Sequence, residues 1–229
     1  MLFIIATPIG NLGDLSARAL DALRRADAIA CEDTRRTRAL LSHFEIPRPE
    51  TMISYREGTE RRAGGQVLAL LERGKTVALC SDGGYPGISD PGYRLIQSVI
   101  EADHALEVLP GASAIHVALL SSGLSTSSYT FKGFPPRKSG AMKRFFEEEG
   151  DRPHTLILFE SPMRVHKCLC AAHEVLGDRL AAVCIELTKK HERTSRGYLS
   201  ELCAEFDGKS VKGEVTIVVA GNNPKFARE

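Results

Sequence analysis

The feature that most constrains this chain is a recurring order: a short, mostly apolar run, a loop, and then residues at helical spacing. "LFIIAT" opens the series. A strand apolar throughout, and not merely at alternate positions, suits burial on both faces, the environment of a parallel sheet. The turn "PIGNLGD" follows. In "LSARALDALRRAD", Leu20, Leu23 and Ala26 then recur at helical spacing, while Arg18, Arg24 and Arg25 supply a wet face. The unit repeats as "AIAC" with "TRRTRALLSHF", as "TMISY" with "RAGGQVLALLERG" closed by Gly74, and as "KTVALC", "GYRLIQSVIEA" and "ALEVLP". "GASAIHVALLSSG" closes this half.

The second half resets the pattern. "SYTFKGF", "HTLILF", "LAAVCIEL" and "EVTIVVAG" read as strands, "MKRFFEEE", "SPMRVHKCLCAAHEVLG" and "LSELCAEF" as helices, and "ELTKKHER" as a basic turn. The Ser/Thr/Gly-rich "SSGLSTSS" places a boundary near 122–127. Residues 1–122 and 123–229 are therefore expected to form two α/β domains, a division that the length allows, with the cleft between them as the default ligand site.

The chain carries 30 basic and 29 acidic side chains, a formal charge of +1, which argues against holding nucleic acid by bulk charge alone. Its six cysteines mostly sit in apolar runs, and Cys168-Leu-Cys170 is too tight for a redox turn or a zinc knuckle. Buried free thiols are expected, and no metal signature is present. His43, His166 and His173, on expected helices, read as ordinary polar positions. "MLFIIATPIG" lacks a basic leader, and no run approaches the roughly 20 apolar residues of a membrane span, so a cytoplasmic location without membrane attachment is expected.

No GxGxxG follows the first strand and no GxxxxGK[ST] occurs, so neither the dinucleotide fingerprint nor a P-loop is available. "SDGGYPGISDPG", residues 81–92, is instead an open loop at a strand end. Gly83 and Gly84 allow close backbone approach to a ligand, and Pro86 and Pro91 limit the loop's movement. "TPIGN" stiffens the first loop at Pro8. "CEDTRRT" sets Glu32, Asp33, Arg35 and Arg36 at a strand-to-helix junction, where the carboxylates can cap the helix and the guanidinium groups can grip phosphate. In the second half, Arg137 and Lys138 in "PPRK", Glu160 and Arg164 in "ESPMR", and Lys189, Lys190, His191 and Arg193 after a strand could together receive a polyanion or simply form a solvated face.

"ATPIGNLGD", "CEDTRRT", "SDGGYPGISDPGYRL", "LPGASA", "FKGFPPRK", "FESPMR", "ELTKKHE" and "KGE" run in the order and spacing of the ribosomal RNA small subunit methyltransferase I family, a branch of the tetrapyrrole methylase superfamily, which this chain resembles over residues 2–221. The resemblance implies two α/β domains of the tetrapyrrole methylase type with the cofactor cleft between them. It also implies a homodimer and S-adenosyl-L-methionine as cofactor, with methyl transfer to the ribose 2'-hydroxyl of a cytidine in the decoding region of 16S rRNA within the small ribosomal subunit. On this pattern Pro8 lies in the first cofactor loop, Gly83, Gly84, Tyr85 and Ile88 line the methionine and sulfonium side, and Ser113 and Ala114 approach the same ligand. Phe159, Leu187 and Glu214 form the adenosine-side wall.

Asp33, Glu186 or Lys189 would accept the ribose proton, the lysine only with a lowered pKa, and Arg35, Arg36, Arg137, Lys138, Arg164 and Lys190 would hold RNA. The sequence departs from the family in Gly83-Gly84-Tyr85, where Ala-Gly-Thr is common, and in "SYREGTE", where "SYHEHNE" is typical. The competing expectations are a tetrapyrrole C-methyltransferase and a non-catalytic RNA-binding or assembly factor.

Overall fold

The apolar run that opens the sequence forms β1 (Leu2–Ile5), buried at all four positions in the computed structural model, which describes residues 1–228. Its repeats form β2 (Ala28–Cys31), β3 (Thr51–Ser54), β4 (Val77–Cys80) and β5 (Leu106–Leu109). These pair in the order β3-β2-β4-β1-β5, every pair parallel. Between them lie α1 (Ala17–Arg25), α2 (Thr34–His43), α3 (Glu60–Glu72) and α4 (Tyr93–Glu101). Ser16 starts α1 by accepting the Ala19 N–H at 3.2 Å, and Asp33 starts α2 by accepting that of Arg35 at 2.8 Å.

Alternation along each strand divides the apolar side chains between two faces. Leu2, Ile4 and Leu79 pack with Val67 and Leu71 of α3 and Leu95 and Val99 of α4. Phe3, Ile5 and Ala78 face the other way, onto Ala22 and Leu23 of α1 and Leu41 of α2. Helices thus cover both faces, which is why the inner strands β1, β2 and β4 are apolar and buried at every position.

The second unit comprises α5 (Ala114–Ser122), β6 (Tyr129–Phe131), α6 (Ser139–Glu147), β7 (Thr155–Glu160), α7 (Val165–Leu176), β8 (Leu180–Ile185), β9 (Arg193–Tyr198), α8 (Leu199–Glu205) and β10 (Val215–Val219). The sheet order is β6-β7-β10-β8-β9, with β6 and β7 parallel and the other neighbours antiparallel. One face packs on α6, α7 and α8 through Met142, Phe146, Leu169 and Leu202, and α5 lies against β8 and β10.

Three sequence expectations change. The chain divides at Ser113 and Ala114, earlier than the expected linker at 122–127. The reason is that α5 buries Ile115, Ala118 and Leu119 and is tied to the second sheet, with Ser121 O accepting from Arg196 Nε at 2.8 Å. The residues after the basic turn form β9, an edge strand whose pairing with β8 supplies the order that its polar sequence does not. Cys170 and Cys203 are joined as a disulfide, contrary to the expectation of six free thiols, because α7 and α8 bring their Cα atoms to 5.5 Å. Cys31, Cys80, Cys168 and Cys184 are free and buried. Among the described residues no helix is long and apolar enough to cross a membrane.

Phe146 is fully buried against α7 and the sheet. Phe146→Ala is expected to destabilise the second unit by about 3–5 kcal/mol, measured by urea unfolding followed by far-UV circular dichroism. A loss under about 1 kcal/mol would contradict this packing.

Candidate functional site

In the first unit the connection from β1 leads to β2 on one side of the sheet, and the connection from β4 leads to β5 on the other, so the loops after β1 and β4 meet where the winding reverses. Open α/β sheets bind ligands outside the carboxyl ends of their strands at such a point. Thr7 and Gly84 join the two loops by a pair of backbone hydrogen bonds, each 2.9 Å. Thr7 Oγ1 donates to Ser81 O at 3.1 Å, and Ser81 Oγ donates to Gly84 O at 3.1 Å. Gly84 sits at φ 82°, a conformation glycine adopts without strain.

The loop after β5 is drawn in as well. The Gly111 N–H donates to Tyr85 Oη at 3.0 Å, and a Cβ on Gly111 would lie 2.9 Å from Ala6 Cβ and 3.0 Å from Ala6 O. Only a glycine fits there without displacing Ala6, the residue that follows β1.

Beside these loops a cavity of about 260 Å³ opens between Thr7, Pro8, Ser81 and Asp82 on one side and Arg36 and Thr37 of α2 on the other. Asp82 Oδ1 accepts the Asp33 N–H at 3.1 Å, and its Oδ2 lies 3.5 Å from Arg36 Nε. Asp33 is held well below the usual carboxylate range by Arg35, whose NH2 group donates to Asp33 Oδ2 at 2.6 Å. It is therefore a weak proton acceptor. Glu32 is shifted the other way: burial raises its carboxyl pKa, and the negative charge of Asp82 adds to the effect. Sequence reasoning noticed Glu32 but left it out of the candidate bases. The signal was its place as the last residue before the α2 cap, behind a buried strand.

In the second unit the carboxyl ends of β6, β7 and β8 and the start of β10 share one sheet edge, since Val215 pairs with both Glu160 and Ile185. Phe159 stands among Phe131 and Phe134, with ring centroids at 4.7 Å and 5.8 Å. After β8 the backbone takes φ 53° at Glu186 and 65° at Thr188, folding the chain over buried Leu187. Glu186 Oε1 accepts from the Glu214 N–H at 2.9 Å and from Lys189 Nζ at 2.8 Å, and Lys189 Nζ also reaches Glu214 Oε2 at 3.0 Å. The glycine of "KGE" is required, since Gly213 has φ 92° and a Cβ there would strike the Glu186 carboxylate.

This network bears on the reading of Lys189 as a proton acceptor. Partial burial alone would lower its pKa, but hydrogen bonds to Glu186 and Glu214 outweigh burial and raise it, which favours the charged ammonium form. Lys189 in turn lowers the Glu186 pKa, weakening that carboxylate as a base. Arg164 is likewise committed within the fold: it donates to Pro135 O at 2.9 Å and Pro136 O at 3.1 Å and lies 3.1 Å from Glu160 Oε2. It anchors the "PPRK" loop to the end of β7. Arg137, Lys138 and Lys190 are exposed.

The first unit thus gathers Pro8, Gly83, Gly84, Tyr85, Asp33 and Arg36 at its strand ends. Ile88 lies exposed on the same long loop, and Ser113 ends the loop after β5. Arg35 faces outward while pairing with Asp33. The second unit gathers Phe159, Glu186, Leu187, Lys189 and Glu214, and Ala114 is the first residue of α5.

Gly111→Ala is expected to cost about 1–3 kcal/mol through overpacking against Ala6, whereas Gly65→Ala, on α3 where an added Cβ meets nothing within 4 Å, should cost much less; thermal unfolding compares the two. A second prediction follows from the Lys189 network. Glu186, with its lowered pKa, contributes stability above the ordinary carboxylate range that is lost as pH falls through its folded value. Lys189, with its raised pKa, contributes stability that is lost only at alkaline pH. Lys189→Met should therefore lower stability at neutral pH, and the deficit should shrink below about pH 4. A deficit independent of pH would assign the loss to packing.

The family model for Tetrapyrrole (Corrin/Porphyrin) Methylases matches residues 1–203. A protein called ribosomal RNA small subunit methyltransferase I from Halalkalibacterium halodurans is 42% identical over 228 residues, covering 100% of this chain and 78% of that protein. The protein of the same name from Bacillus subtilis is 40% identical over 223 residues, covering 97% and 76%. Among solved structures, the methyltransferase CobJ superposes with a TM-score of 0.71 at 15% identity, over 96% of this chain and 94% of its own. Uroporphyrin-III-C-methyltransferase from Thermus thermophilus superposes with 0.67 at 18%, over 96% and 93%. Those two likenesses establish the fold, and the sequence matches go further: this chain belongs to the tetrapyrrole methylase family, in the group of the ribosomal RNA small subunit methyltransferase I proteins.

Proposed function

We propose that this protein is an S-adenosyl-L-methionine-dependent rRNA methyltransferase that modifies the ribose 2'-hydroxyl of a cytidine in the decoding region of 16S rRNA. The observation that carries the reading is identity of 42% across the whole chain to a protein named for ribosomal RNA small subunit methylation. The strand ends of the first unit fit the cofactor in kind. Gly83 has no side chain where a Cβ would lie 3.5 Å from Pro8 O, Gly84 and Gly111 let three loops converge, and a cavity with both apolar and polar walls lies alongside. Pro8, Gly83, Gly84, Tyr85, Ile88, Ser113 and Ala114 would hold the methionine part, and Phe159, Leu187 and Glu214 the adenosine part. The cofactor supplies a methyl group on a sulfonium, activated toward an oxygen nucleophile.

The residues of this chain then have two tasks. The first is alignment, which the Thr7–Gly84 bridge and the Tyr85–Gly111 hydrogen bond serve by fixing the loops in advance. The second is proton removal from the ribose hydroxyl. Glu32, whose carboxyl pKa is raised by burial, suits this better than Asp33, Glu186 or Lys189. Arg35 and Arg36 in the first unit and Arg137, Lys138 and Lys190 in the second would grip RNA phosphates, with Arg164 holding Arg137 and Lys138 in place. Action on the small ribosomal subunit in the cytoplasm, as a homodimer, completes the reading.

The test supplies radiolabelled S-adenosylmethionine with unmodified small subunits, naked 16S rRNA or a uroporphyrinogen-type macrocycle. Label recovered as 2'-O-methylcytidine from RNA at one decoding-region position supports the assignment; label in the macrocycle alone overturns it. Glu32→Gln is expected to lower kcat by about 10²–10⁴-fold with cofactor affinity unchanged, and a wild-type pH–rate profile would remove Glu32 from the proton's path. Combined Arg137→Glu and Lys190→Glu should weaken subunit binding and flatten its salt dependence, leaving cofactor affinity intact.

A further inference from the structure

On the packed pair α7 and α8, His166 and Cys170 lie four residues apart and so share a helix face, and Cys203 faces them from the second helix. One ligand atom from each of the three lies within 4.8 Å of the others. Asp207, just past the end of α8, brings a carboxylate oxygen to 3.7 Å from His166 Nε2. In this structure the two sulfurs are bonded to each other. None of these residues takes part in the functional reading above, and the inference does not depend on it.

We infer that His166, Cys170 and Cys203 form a binding site for a zinc-class divalent cation when the two thiols are reduced. The donor set is imidazole plus two thiolates, the mixture that selects zinc over harder cations. Thiolates bound tetrahedrally to zinc at about 2.3 Å stand roughly 3.8 Å apart, so opening the disulfide by side-chain rotation on helices already adjacent brings the three donors near the required spacing. Three protein ligands leave a fourth position for water, and Asp207 adds negative charge beside the ion.

The other four thiols are buried and do not compete. Cation binding releases one proton from each thiol to solvent. Entry to the binding state requires a low-molecular-weight thiol as reductant: two of its molecules become one disulfide, and their two electrons and two protons convert the Cys170–Cys203 bond to two thiols. Disulfide and cation are thus alternative clamps between the same two helices.

The test uses the full chain, reduced with a phosphine, stripped by a chelator and titrated with cobalt(II). The expected result is a thiolate-to-cobalt charge-transfer band with the visible absorption of tetrahedral cobalt, saturating at one ion per chain and lost on addition of zinc. Protein left oxidised should show neither. Cys170→Ser combined with Cys203→Ser should abolish the band, and His166→Ala should weaken binding about tenfold or more. A reduced wild-type chain without the band, a band that survives in the double variant, or His166→Ala binding as tightly as wild type would each overturn the site. If loss of both sulfurs unfolds the second unit, seen by circular dichroism, His166→Ala carries the test, since it keeps both thiols.

Discussion

The first unit depends on the pair of backbone hydrogen bonds between Thr7 and Gly84. The core can place β1 and β4 side by side, because both are apolar at every position and covered on both faces. It cannot fix the loops beyond them. There the chain leaves the sheet and its polar groups need other partners. The Thr7–Gly84 bridge meets that need for two loops at once, and Ser81 Oγ and Thr7 Oγ1 satisfy adjacent carbonyls. Tyr85 extends the same network to the loop after β5. A ligand arriving here meets loops already ordered, so little binding energy is spent on ordering them.

The second unit meets a similar need with charge. Around buried Leu187 the backbone takes two left-handed residues, Glu186 and Thr188, each unfavourable for a side chain with a Cβ. The Glu186 carboxylate offsets this cost by accepting from the Glu214 N–H and from Lys189, which its neighbours keep charged. Gly213 makes room for that carboxylate. Lys189 thus serves the fold as a cation held between two carboxylates. Arg164 is similarly drawn inward by the carbonyls of Pro135 and Pro136.

Much of the fold was legible because burial on both faces leaves a continuous apolar signature, so β1, β2 and β4 and the glycine-bearing loops after β1 and β4 could be read directly. The long glycine-rich loop and the acid–base cluster after β2 were likewise visible as stretches with too few packing side chains or too many charges for a plain turn. What was not legible depended on partners distant in sequence. β9 has no apolar run and becomes a strand only through pairing with β8. The position of α5 follows from its packing on β8 and β10, not from the polar linker behind it. The direction of the pKa shift at Glu32 depends on burial and then on Asp82, and that at Lys189 on Glu214 as well as on nearby Glu186; Asp82 and Glu214 lie outside any local window. The Cys170–Cys203 pairing needed the approach of α7 to α8.

The near-neutral net charge takes on a different meaning once the positive groups are placed. Several are consumed within the fold: Lys189 by two carboxylates, Arg164 by carbonyls and Glu160, and Lys132 by Glu148 and Glu149. The exposed cations at the second sheet's edge, Arg137, Lys138 and Lys190, stand on turns anchored by those internal contacts. A few fixed charges contribute little non-specific affinity for a polyanion, because counterion release scales with the number of phosphates neutralised. They contribute more to discrimination, since a rigid arrangement matches only a surface whose phosphates share its spacing. Selectivity on a folded RNA surface would then come from shape and position, which agrees with a chain that commits Arg164 and Lys189 to fixing the loops beside those exposed cations.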